Sequence, residues 1–223
     1  MNQNYSTVAQ RSPSALATNK VLRNTYMLLS LTLLFSGLTA AISMFMNMPP
    51  MTYLISVIGG MVIAMFVLPR FANSTAGIGI VFLITGMLGF GLGPILSMYA
   101  TLPNGGSIIT LSLGGTGVIF MGLSAYALTT RKDFSFLGGF LMVGFLLVLL
   151  AAVANIFLAI PAMSLMISAV VIMIMSGFIL YDTSRIIHGG ETNYVLATIG
   201  LYMTIFNIFI SLLQILGIMG NDD

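Results

Sequence analysis

The chain has 223 residues, of which 58% are hydrophobic and only 5% charged, with seven basic and five acidic side chains. A soluble domain carries about 25% charged residues, so a soluble enzyme, a nucleic-acid binder and a wholly disordered chain are excluded, and most of this chain has lipid as its solvent. Cysteine and tryptophan are absent and there is a single histidine, which excludes disulfides, thiolate chemistry, zinc–sulfur sites and paired-histidine sites; neither a metal nor a cofactor is expected.

Residues 1–19 are polar, with Arg11 as the one charge and Ser12-Pro13 within them. They carry no apolar stretch of their own, so they are expected to be a disordered cytoplasmic tail and not a cleaved signal peptide. Residues 20–223 are expected to form one membrane domain. Apolar runs follow at about 24–46, 51–68, 76–99, 107–129, 136–160, 162–181 and 195–219, each long enough to cross the hydrocarbon core. The predicted fold is all-α, with seven transmembrane helices. Met48-Pro49-Pro50, Pro69-Arg70, Pro103-Asn104-Gly105, Arg131-Lys132-Asp133 and Pro161 mark the breaks. The polar stretch from Asp182 to Asn193 is the longest connection. Because only Pro161 separates the fifth and sixth runs, one long kinked helix is the rival reading there.

Arg11, Lys20, Arg23, Arg70, Arg131, Lys132 and Arg185 all fall on one side of a seven-span arrangement. The positive-inside rule makes that side cytoplasmic, which puts the N-terminus inside and the Asn221-Asp222-Asp223 end outside.

Several stretches carry a family pattern. They are Gly91-Leu92-Gly93-Pro94-Ile95-Leu96, Thr129 to Leu137 (TTRKDFSFL), Ile179-Leu180-Tyr181-Asp182-Thr183 and Leu201 to Phe209 (LYMTIFNIF). Together they resemble the Bax inhibitor-1 family of small integral membrane proteins. Lys20 to Tyr26 (KVLRNTY) and Ile187 to Tyr194 (IHGGETNY) resemble its bacterial YccA branch, whose members modulate the FtsH membrane protease. The resemblance runs from Lys20 to the C-terminus. It implies a seven-helix fold with the seventh helix central, and a non-enzymatic regulator in the bacterial inner membrane. The partners it implies are FtsH, the membrane regulators associated with FtsH, and the bilayer.

Other members of the family behave as pH-sensitive calcium leaks, in which an aspartate on the sixth helix and one on the seventh share a proton and hold an arginine from the second. Carried onto this chain, the sixth-helix acid is Asp182 and the arginine is Arg70. The seventh-helix acid falls at Thr204 and a second-helix acid near Gly60. Neither of these two positions ionises, and proton sharing needs two coupled acids.

Thr204, Asn207, Ser211 and Gln214 fall within an arc of about 80° on a helix and form a polar stripe on the seventh span. Lipid cannot satisfy these groups, so the stripe faces protein or water. A hydrated path is the functional reading, in which Asp182, Thr204, Arg70 and Asn207 are the ion-path or pH-sensor candidates. Hydrogen bonding inside a packed bundle is the bland reading. Asp182 is a functional acid by position, yet an i,i+3 pair with Arg185 would neutralise it. Gly86, Gly89, Gly91 and Gly93 lie inside an apolar span and read as close helix packing, not as a phosphate loop. Ser124 with His188 hints at a serine protease but lacks a third group, so no catalytic residue is assigned. Asn155 reads as an inter-helix hydrogen bonder. Met44, Met46 and Met48 read as lipid-facing or gap-filling side chains.

Overall fold

A computed structural model describes residues 15–220. Residues 1–14, with Arg11 and most of the expected tail, and residues 221–223 lie outside the described part. The described residues form α1 (Ala15–Phe45), α2 (Met51–Phe71), α3 (Thr75–Ala100), α4 (Gly105–Thr130), α5 (Leu137–Leu158), α6 (Pro161–Ile187) and α7 (Tyr194–Met219). All seven are long and apolar enough to cross a membrane, and no strand occurs among the described residues. The turn at Pro161 separates α5 from α6, so the long kinked helix is not formed.

Two ends differ from the expected ones. The chain is already helical at Ala15. The sixth helix runs past Asp182 to Ile187. Thr183 and Ser184, which read as the start of a loop, are buried against neighbouring helices instead. Polar side chains that face protein allow a helix to continue where their composition suggests a turn. In α2, residues Ile63–Val67 form a π-helical turn just before Pro69. Proline lacks the N–H that the regular ladder needs, and the register slips ahead of it.

The seventh helix is the hub. Val195, Leu201 and Tyr202 share one buried cluster with Leu29 of α1, Leu68 of α2 and Ile84 of α3. Phe209 and Leu213 join Ala40, Leu92 and Ile108 in a second. Ile208 joins Met175 and Ile179 of α6 in a third. By contrast α5 packs chiefly on α6 and buries only Leu141, which fits over Gly177.

Glycines set the approach of α3 to α1. A Cβ at Gly89 would overlap the Ser36 carbonyl oxygen, and one at Gly93 the Ser43 hydroxyl. On the adjoining face a Cβ at Gly91 would meet Ser56 of α2 at 2.6 Å. These glycines serve close packing in a medium where dispersion and hydrogen bonds hold helices together.

Candidate functional site

Asp182 lies inside α6, and its carboxylate lines a small cavity of about 100 Å³ with Arg185, Glu191, Leu196, Ala197 and Gly200. The expected Asp182–Arg185 pair is not formed. Arg185 Nη2 lies 3.5 Å from Glu191 Oε2 and donates to the Gly190 carbonyl at 3.2 Å. Its guanidinium sits 5.5 Å from the centre of the Tyr181 ring. The second carboxylate at this cavity is therefore Glu191, from the α6–α7 loop, a residue that sequence reasoning passed over.

Thr204 is buried one turn beyond Gly200 and donates its hydroxyl to the Gly200 carbonyl at 3.1 Å. Arg70 is exposed in the last turn of α2, and Arg185–Glu191 is the only ion pair among the described residues. The structure thus brings Asp182 near the Thr204 turn but leaves Arg70 apart from it.

The polar stripe of α7 faces protein. Asn207 donates to its own helix at the Met203 carbonyl, 2.8 Å away, and Ser211 is buried. Gln214 accepts from Ser168 of α6 at 2.8 Å. It also lines an open cavity of about 520 Å³ with Asn155 and Ser164. Asn155 links α5 to α6, donating to Ser164 at 2.7 Å and accepting from the Ile160 N–H.

Asp182 and the loops share one end of the bundle, and side chains pin those loops. Ser184 accepts from the Phe134 N–H at 2.9 Å and donates to the Lys132 carbonyl at 3.3 Å, which holds the α4–α5 connection to α6. Asp133 accepts from the Ser135 N–H at 2.9 Å, and this bond holds its carboxyl below the usual carboxylate range. Asn193 caps α7 through the Val195 and Leu196 N–H groups. Its amide also reaches the Ala72 carbonyl and the Asn73 side chain, tying down the α2–α3 turn.

Ser124 and His188 do not form a catalytic pair. Ser124 accepts from the Tyr26 hydroxyl at 2.9 Å, and His188 Nδ1 lies 2.9 Å from the Ser184 carbonyl. Tyr26 reaches Thr183 as well, at 3.3 Å. A second knot escaped sequence reasoning. The Tyr202 hydroxyl lies 2.6 Å from Ser36 Oγ and donates to the Thr85 carbonyl at 3.3 Å, joining α7 to α1 and α3. Its only sequence signal was a phenol placed in mid-span, where hydrocarbon offers no partner.

Residues 18–221 match a family described as inhibitor of apoptosis-promoting Bax1. The modulator of FtsH protease YccA from Escherichia coli K12 is 53% identical over 209 residues, 94% of each chain. The inner membrane protein YccA of Escherichia coli O6:H1 matches to the same extent. An uncharacterized membrane protein of Vibrio cholerae serotype O1 is 49% identical over 208 residues, 93% of each chain.

Proposed function

This chain belongs to the Bax inhibitor-1 family, and from that we propose that it is a non-enzymatic, multi-pass inner-membrane modulator that binds the FtsH protease and restrains its degradation of membrane proteins. The observation that carries the reading is end-to-end identity of 53% with a protein named as a modulator of that protease. The relation spans 94% of each chain, helices and connections together, which supports a shared role as well as a shared fold.

The basic end of the bundle faces the cytoplasm in this reading, which places the N-terminus and the Asp182 end inside. Two polar regions would be offered to the protease there: the segment before α1 and the Asp182–Asn193 stretch that ends α6 and leads into α7. A cysteine-free chain makes the orientation direct to test. Gly106→Cys, at an exposed position where an added side chain meets nothing within 4 Å, should react with an impermeant thiol reagent in intact cells and Gly190→Cys should not.

The deciding experiment is affinity capture from native membranes in mild detergent, paired with the half-life of a membrane substrate of FtsH. FtsH should copurify, and raising the level of this protein should lengthen the substrate's life. Absence of FtsH from the captured material, with an unchanged substrate half-life, overturns the reading.

A further inference from the structure

Among the described residues, charge is confined to one end of the bundle, where cations outnumber acids. Lys20 and Arg23 stand in the first turns of α1, Arg70 in the last turn of α2, and Arg131 and Lys132 directly after α4, all exposed. Asp133 is the only exposed acid among the described residues, and its carboxylate is engaged by the Ser135 N–H. Glu191 is paired with Arg185. At the opposite end, residues 46–50, 101–104, 159–160 and 220 contain no charged side chain.

The level of these cations points to what meets them. Lys20, Arg23 and Arg70 sit in the end turns of spans, and Arg131 and Lys132 in the short connection directly after α4. The connections between them are short and tied down by Ser184 and Asn193. Exposed rings lie at the same level: Phe136 is 75% accessible, Tyr126 46% and Phe71 44%. Cations beside aromatic rings at span ends match the headgroup boundary of a bilayer, where phosphate oxygens and acyl carbons meet. A soluble acidic domain would need groups that stand clear of that boundary.

We propose that this basic end is an anionic-phospholipid contact surface, in which Arg70 beside Phe71, and Arg131 and Lys132 near Phe136, hold headgroup phosphates while the two rings seat among the acyl chains. Each cation near an anionic surface strengthens association roughly fivefold. The inference stands apart from the protease reading, and its test contains no protease.

Delipidated protein is placed in phosphatidylcholine nanodiscs that carry trace spin-labelled phosphatidylglycerol or spin-labelled phosphatidylcholine, and the immobilised fraction is measured. Both leaflets have one composition, so the direction of insertion does not affect the result. The unmodified protein should prefer phosphatidylglycerol several-fold. The preference should fall in Arg70→Gln and in Arg131→Gln/Lys132→Gln, and fall furthest in the triple variant, which keeps Lys20 and Arg23. Arg70→Lys/Arg131→Lys should keep it, which separates charge from folding. Equal immobilisation of both lipids by the unmodified protein overturns the proposal. So does a triple variant that keeps the preference, including one that keeps it while losing a copurified acidic protein.

Discussion

The Asp182 carboxylate lies against Gly200 of the central helix, where an added methyl group would stand 3.6 Å from Asp182 Oδ2. Position 204 is one turn further along the same helix, about 6 Å up its axis. An acid at that turn would share a neighbourhood with Asp182; a threonine bonded to the Gly200 carbonyl does not.

Calcium flux through the purified protein in liposomes should therefore be low, with no steep change over roughly pH 6 to 8, because coupled titration needs a second free acid. Glu191 lines the same cavity but is held by Arg185. Thr204→Asp should introduce pH-dependent flux, and Asp182→Asn in that background should remove it. Strong pH-gated flux from the unmodified protein, lost on Asp182→Asn, would make the ion leak the primary activity.

The α1–α3 seam predicts a contrast among glycines. Gly89→Ala drives a methyl group into the Ser36 carbonyl, a backbone atom that cannot swing away. It should cost on the order of 1–3 kcal/mol and lower the thermal midpoint in detergent. At Gly114 an added methyl meets nothing within 4 Å, so Gly114→Ala should be neutral or stabilising by up to about 1 kcal/mol from helix propensity. Equal effects at the two sites would mean that the seam is not close-packed.

Tyr202→Phe removes the hydroxyl that bridges Ser36 and the Thr85 carbonyl. The loss should be about 1–3 kcal/mol, since the buried Ser36 hydroxyl loses its partner. The double variant Ser36→Ala/Tyr202→Phe should recover part of it. A thermal-unfolding cycle over the four proteins measures the coupling, and strictly additive losses would exclude the bond.

Ser184→Ala should release the α4–α5 connection without unfolding the helices, seen as faster amide exchange confined to residues 131–136. The same loop should loosen in acid. The folded-state value of Asp133 is depressed by the Ser135 N–H. Its contribution is thus present above the ordinary carboxylate value and is lost as pH falls through the depressed one. Asp133→Asn should remove that pH dependence; an unchanged acid profile in the variant would assign it elsewhere.

Deleting residues 2–14 spares α1, which begins at Ala15. If the protease engages its modulator by the N-terminal end, the shortened protein should be long-lived and the stronger inhibitor. Pulse-chase in cells reads both; a half-life equal to that of the intact chain assigns the grip to another segment.

The spans were legible because lipid fixes their length and proline marks their ends, as at Pro49-Pro50, Pro103 and Pro161. The end of α6 was not. Thr183 and Ser184 have loop-like composition, and only their burial against other helices keeps them helical. For the candidate site, Asp182 stood out as an acid beside an apolar run, and the stripe from Thr204 to Gln214 stood out by periodicity. Their partners were invisible, since Glu191 and Gly200 reach Asp182 only through the return of α7 past α6. The Asp182–Arg185 pair, favoured by spacing along one helix, lost to the neighbouring loop, which offers Arg185 a carboxylate and a carbonyl together.

The interlocking of α1 also sets the mechanical order in which the molecule comes apart. A motor that draws the chain in from its N-terminal end grips α1 first. That helix is seamed to α3 at Gly89 and Gly93 and bonded to α7 by Thr198 and Tyr202. The loosest helix, α5, is reached only after four others have left the membrane. If extraction starts from that end, its first step should be the slowest, and a machine that begins on this protein should be occupied for as long as that step lasts.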